Sequence, residues 1–255
     1  MGYLSEQEQV RGHMGKGIFI TGTDTGVGKT LVAAGLAAVL REKGIDVGVM
    51  KPAESGCRRE NGLLIPGDAL LLREMSGIQD ELELVNPYSF DHPLAPALAA
   101  EIEGVEIRLE VIREAYLTLA SRHDLVLVEG AGGMMVPLTP DRLMVDLVKE
   151  LGGLPILIVT RMILGTLNHT LLSLYYARKE GIDVLGVVMN RTSPEEGLAE
   201  SLNPQAMQRW GQVPFLGSLP FLPATNKESI VKAVTTGLNI EPVMLWLKKH
   251  VPYEP

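Results

Sequence analysis

Apolar and polar positions alternate in blocks along the chain. Short runs rich in Val, Ile and Leu at 17–21, 47–50, 125–128, 155–159, 184–189 and 213–219 predict strands. Between them, stretches with apolar residues at helical spacing predict helices over 29–43, 68–75, 108–122, 142–151 and 166–180. The strand runs are apolar at consecutive positions, the pattern of parallel strands covered on both faces. The alternation therefore predicts an α/β fold: a doubly wound, mostly parallel sheet with helices on both faces. Residues 1–15 carry Glu6, Glu8, Arg11 and His13 with little apolar content, which predicts a flexible tail ahead of a single domain over 16–255. Val231, Leu238, Val243, Leu245 and Leu247 give the stretch 226–255 a partly helical look, with no function attached.

Composition narrows the function classes. Apolar residues make up 46% of the 255 and charged ones 21%, enough for a large core and too little charge for disorder. Lys and Arg number 23 against 31 Asp and Glu, a net charge of −8 that argues against nucleic-acid or anionic-membrane partners. Cys57 is alone, which rules out an intrachain disulfide or a cysteine zinc cage and points to a reducing cytoplasm. Apolar runs such as 154–159 fall short of the ~18 residues that span a bilayer.

Ligands of doubly wound sheets sit outside the carboxyl ends of the strands, so the residues that close strands come first. Gly22-Thr23-Asp24-Thr25-Gly26-Val27-Gly28-Lys29-Thr30 lies between an apolar strand and a helix. It reads as a phosphate loop, P-loop NTPase-like. Backbone N–H groups and the helix N-terminus face phosphate, Lys29 reaches the outer phosphates and Thr30 can ligate magnesium. The usual spacing puts the first glycine at 23, whereas here it is Gly22. Glu129, followed by Gly130-Ala131-Gly132-Gly133, closes a strand where a carboxylate can hold magnesium, although Asp is commoner there. Lys51, before Pro52, ends the strand at 47–50 with its ammonium at the sheet's carboxyl edge. Asp68 is either a metal ligand or a plain helix cap. Asn190 closes the strand at 184–189 and can bond an adenine edge. The Lys and Asp that a guanine site needs after it are absent. The five histidines and Cys57 are expected to be structural or solvated, and neither Ser55 nor Ser218 sits in a nucleophile elbow.

Taken in order, these segments resemble the dethiobiotin synthetase family, ligases of the biotin pathway, from about Gly17 to Pro220. The loop 22–30 has that family's longer spacing. Lys51-Pro52-Ala53-Glu54-Ser55-Gly56, Gly67-Asp68-Ala69, Asn86-Pro87-Tyr88-Ser89-Phe90, Val128-Glu129-Gly130-Ala131-Gly132-Gly133 and Leu164-Gly165-Thr166-Leu167-Asn168-His169 are similar to its recurrent motifs. Arg161-Met162-Ile163 and the stretch from Phe221 onward fit it less well. The resemblance implies that a 7,8-diamino fatty acid, carbon dioxide and ATP give dethiobiotin, ADP and phosphate, with a carbamate and its mixed anhydride with phosphate between. It implies catalytic roles for Lys29 and Lys51, with Thr25 and Ser55 orienting the diamine. It further implies nucleotide contacts from 22–30, Glu129, Asn190 and Pro220, and magnesium on Thr30, Asp68 and Glu129. Substrate contacts would come from Ser55, Gly132, Leu164, Gly165, Thr166 and Asn168, the helix start at 165–168 being supplied by a second subunit of a homodimer. The alternatives are a partitioning or regulatory ATPase switched by its nucleotide, with a macromolecular partner, and a synthetase coupled to an amidotransferase. The first usually has a second lysine early in the loop, where Thr23, Asp24 and Thr25 stand, and the second needs a glutaminase domain.

Overall fold

The structure, a computed structural model, describes residues 15–195 and 197–251. Apart from Gly15, the tail expected over 1–15 lies outside these residues. β1 (Gly17–Gly22) leads through a loop into α1 (Lys29–Glu42), whose many Ala and Leu residues favour helix. β2 (Val47–Met50) is followed by an excursion that the periodicity does not announce. It comprises β3 (Ala53–Ser55), the exposed hairpin of β4 (Arg58–Glu60) and β5 (Leu63–Ile65), α2 (Gly67–Ser76), the single turn α3 (Leu82–Val85) and β6 (Tyr88–Phe90). Then come α4 (Pro96–Glu103), α5 (Leu109–Arg122), β7 (Leu125–Glu129), α6 (Met144–Glu150), β8 (Ile156–Arg161), α7 (Thr166–Lys179) and β9 (Val184–Asn190). The chain continues through α8 (Leu198–Trp210), β10 (Phe215–Leu219), α9 (Lys227–Gly237) and α10 (Glu241–His250).

Six strands form one sheet in the order β10-β9-β8-β1-β7-β2, every neighbouring pair parallel. Successive side chains of each strand enter opposite layers, as the pleat requires. Ile18 and Ile20 join Val47, Val49, Leu125 and Leu127 under α1, α2, α9 and α10. Phe19 joins Val126, Val128, Ile156 and Ile158 under α4, α5, α6, α7 and α8. Burial on both faces explains the unbroken apolar runs in the sequence. No helix among the described residues is long and apolar enough to cross a membrane.

Because the strands are parallel, their carboxyl ends share one rim of the sheet, and each candidate segment follows one of them. β1, β7 and β2 are neighbours, so the phosphate loop, Glu129 and Lys51 converge. The register sets Met50 beside Val128, which brings the next residues, Lys51 and Glu129, level with each other.

Candidate active site

The phosphate loop is fastened at both ends. Gly22 N donates to Gly132 O at 3.1 Å and Thr23 N to Val159 O at 3.0 Å, tying the loop to the turn after β7 and to β8. At its far end Gly28 has φ +96°, and a Cβ there would lie 2.1 Å from Asn190 Nδ2, so a larger residue is excluded on both counts. Asn190 Nδ2 donates to Val27 O at 3.0 Å. Arg161 closes the loop from outside, one guanidinium nitrogen donating to Asp24 Oδ2 at 2.6 Å and to Thr25 O at 2.6 Å. Lys29 is buried, with Nζ donating to Asp24 O at 3.3 Å. Burial first, and then the charge of Lys51, bring its pKa down to about 8.

Lys51 is the junction of the site. Its Nζ donates to Glu129 Oε1 at 2.5 Å and to Asp68 Oδ2 at 2.8 Å, and Thr30 Oγ1 donates to the same Glu129 oxygen at 2.8 Å. Burial works against the ammonium, but Glu129 and Asp68 outweigh it and hold Lys51 well above the ordinary lysine value. Burial likewise opposes the Asp68 carboxylate, and Lys51 overrides it, leaving that group below the usual carboxylate range. Glu129 is 1% exposed, and burial pushes its carboxyl up despite Lys51. Its Oε2 is buried without a hydrogen-bond partner. The backbone on either side of Lys51 is pinned as well, N to Val85 O at 2.7 Å and O to Asn86 Nδ2 at 2.7 Å.

These groups line a cleft of about 620 Å³ with Thr25, Glu54, Ser55 and Gly132. It adjoins a second hollow of about 410 Å³, reached past Thr25, Gly132 and Val136 and walled by Met134, Met135, Leu172 and Tyr176. A polar floor carrying two lysines and three carboxylates thus opens sideways into an apolar recess.

An AAA domain model matches residues 16–229. An ATP-dependent dethiobiotin synthetase BioD of Thermodesulfovibrio yellowstonii is 42% identical over 236 residues, covering 89% of this chain and 98% of that relative. The BioD of Bacillus licheniformis is 43% identical over 229 residues, 90% of this chain and 96% of its own length. That of Anaeromyxobacter dehalogenans is 46% identical over 208 residues, 82% and 91% respectively. The chain belongs to the dethiobiotin synthetase family.

Several residues of this dethiobiotin synthetase family member stand differently from what sequence alone allows. Asp68 is no helix cap: the N–H groups of Asp68 and Ala69 go to Glu54 Oε1 at 2.9 Å and Oε2 at 3.0 Å. Thr166 is neither cap nor outward donor, because Gly165 holds the cap position and the Thr166 hydroxyl turns inward to Thr160 at 2.5 Å. Thr160 also bonds Thr23 at 2.9 Å and Thr170 at 3.1 Å, a buried hydroxyl cluster joining the phosphate loop to α7. Leu164, Gly165 and Asn168 are exposed and outside the cleft of their own chain. Pro220 is exposed just beyond β10. Cys57 is buried, its thiol pushed up to about 11 by burial and by Glu54. His123 bridges Asp46 at 3.0 Å and Asp80 at 2.8 Å and does not line the cleft, while His13 falls outside the described residues. Glu54, Asn86, Thr160 and Arg161 also brace the site, which the sequence around them does not announce. Asn86 and Glu54 stand inside recognisable motifs, but which backbone groups they hold depends on contacts far along the chain.

Proposed function

We propose that the cleft over Lys29, Lys51, Asp68 and Glu129 carries the ATP-dependent synthesis of dethiobiotin, with residues 16–255 acting as one catalytic unit. The junction of Lys51 with Glu129 and Thr30 supports this reading, since it joins the phosphate loop to a second cation over a cleft large enough for two anions. One amine of the 7,8-diamino acid attacks carbon dioxide and loses a proton, giving a carbamate. The carbamate oxygen then displaces ADP from the γ-phosphate to form a mixed anhydride. The second amine attacks the carbamoyl carbon, phosphate leaves, and the five-membered urea ring closes.

Two anions must meet in the middle step. Lys29 and Lys51, both buried, offset their repulsion, since charges held out of water act strongly. Thr25 and Ser55 orient the diamine, and holding both amines in place removes much of the entropic cost of closure, with effective molarities of about 10⁵ M or more. The phosphate loop 22–30 holds the nucleotide's phosphates. Asn190 and Pro220 flank the base, and the apolar recess beside Gly132 takes the methylene chain.

The donor set fits magnesium. Glu129 Oε2 is a buried oxygen without a partner, and Thr30 and Asp68 flank it across Lys51 and Glu129 Oε1. Among the described residues no three His, Cys, Asp or Glu gather as a metal cage. Magnesium is commonly held by one or two carboxylates and shared with substrate phosphates. Thr30, Asp68 and Glu129 would hold the ion, which neutralises phosphate charge when bound.

We further propose a cytoplasmic homodimer. Met135 in the turn after β7, Leu164 in the turn between β8 and α7, and Leu172 and Tyr175 on α7 are exposed, Leu164 to 89%. A second copy packed there would bring its Leu164, Gly165 and Asn168 to the substrate's far carboxylate, at the start of a 14-residue helix whose free N–H groups favour an anion. Phosphate release tests the function: it should require diamine and bicarbonate together, and equal release without diamine would overturn it. A regulatory ATPase is disfavoured by the family assignment. Sedimentation tests the assembly, a monomer at micromolar concentration counting against the shared site.

A further inference from the structure

We propose that Glu54 is a positioning residue that keeps the Asp68 carboxylate on Lys51 by occupying the helix donors Asp68 would otherwise take; this rests on the magnesium and Lys51 roles proposed above. α2 begins after Pro66, and Pro66 and Gly67 have no polar side chain with which to cap it. The first-turn N–H groups of a helix need acceptors, and an Asp within that turn ordinarily turns back to them. Here Glu54 reaches over from β3. Its two oxygens accept from Asp68 N and Ala69 N, the same pair that a Ser or Asp at position 66 would satisfy. Glu54 is 7% exposed and fixed on a strand paired with β6, where it lies opposite Ser89. With those donors taken, Asp68 Oδ2 faces the cleft and meets Lys51 Nζ at 2.8 Å. Both Glu54 oxygens already accept backbone N–H groups, an arrangement suited to holding geometry rather than to taking a proton from the substrate amine.

Three variants separate the possibilities: Glu54→Ala, Glu54→Ala with Pro66→Asp, and Asp68→Asn. In a crystal structure of free Glu54→Ala, Asp68 should turn onto the first-turn N–H groups and leave Lys51. In calorimetric titrations of ADP, the magnesium concentration needed for half-saturation should rise about tenfold, the scale on which partners of a ligating group act. Pro66→Asp in the same chain should restore both the Asp68–Lys51 contact and the magnesium requirement, because it supplies the missing cap. Persistence of the Asp68–Lys51 contact in Glu54→Ala overturns the proposal. So does a Pro66→Asp variant that recovers melting temperature without recovering the magnesium requirement, which would mean that Glu54 touches the ligand itself. An unchanged magnesium requirement in Asp68→Asn refutes the metal role of Asp68 alone, and the crystal structure then still decides for or against Glu54.

Discussion

Replacing Lys51 with methionine should cost stability as well as turnover, for a reason visible in its two partners. The Asp68 side chain is 42% exposed and can return to water, whereas that of Glu129 is 1% exposed and cannot. Removing one member of a buried ion pair typically costs about 3–5 kcal/mol, because a charge is left uncompensated in the interior. For a chain of this size each kcal/mol moves the melting temperature by about 2–4 °C, so Lys51→Met should melt on the order of 10 °C below the parent near pH 7.5. The pH dependence has a definite sign. Glu129 has a folded-state pKa already raised by burial, and losing Lys51 raises it further. A carboxyl raised in the folded state stabilises the fold when protonated and loses that contribution as pH rises through its folded pKa. The deficit should therefore shrink as pH falls from 8 toward 5, by at most about 1.4 kcal/mol per pH unit. Lys51→Met with Glu129→Gln should recover most of the melting temperature and none of the phosphate release that needs diamine and bicarbonate. The argument fails if Lys51→Met melts within 2 °C of the parent, or if adding Glu129→Gln brings no recovery, measured by calorimetry across that pH range.

Three further outcomes follow from the loop. Lys29 has a pKa of about 8 in the free protein, so above that pH the nucleotide should bind with proton uptake and weaken as pH rises; ADP titrations in buffers of different ionisation enthalpy at pH 8.5 check this, and zero uptake refutes it. Gly28→Ala combines a φ of +96° with a clash of its Cβ against Asn190 Nδ2; it should weaken nucleotide binding strongly, and adding Asn190→Ala should restore it only to about 5- to 30-fold below Asn190→Ala alone, since the backbone strain of about 1–2 kcal/mol remains. Arg161→Ala gives up a half-exposed clamp on Asp24 and Thr25, so the KM for ATP should rise several-fold with melting nearly unchanged, because exposed pairs contribute about 1 kcal/mol or less.

Legibility in the sequence followed the range of the interactions. Apolar runs at 125–128 and 184–189 announce buried parallel strands because burial on both faces is written into consecutive residues. The phosphate loop is legible since its spacing is itself the geometry. β3 and β6, three residues each, are not, as their pairing is settled between Ala53 and Tyr88 at opposite ends of the excursion. α8 carries Pro204 in its interior and opens after the polar, Gly-containing stretch 191–197, so its helical period is masked. At the site, Lys29 and Glu129 could be read from local context. That Asp68 serves Lys51 and not its own helix could not, because the deciding side chain is fourteen positions upstream.

The two margins of the sheet limit how copies of this molecule can adhere. β2, at one margin, is four residues long, and Pro52, two residues past its end, has no N–H to offer an incoming strand. At the other, β10 is interrupted between Phe215 and Gly217, and the segment after α9 lies along it through a bridge from Gly217 to Leu238 and a bond from Asn239 N to Leu216 O at 2.6 Å. Neither rim offers a long flat template on which a neighbour's backbone could extend the sheet. Extension of the central sheet by a neighbour's backbone, the usual route from a parallel α/β core to fibrous aggregates, is blunted at both ends.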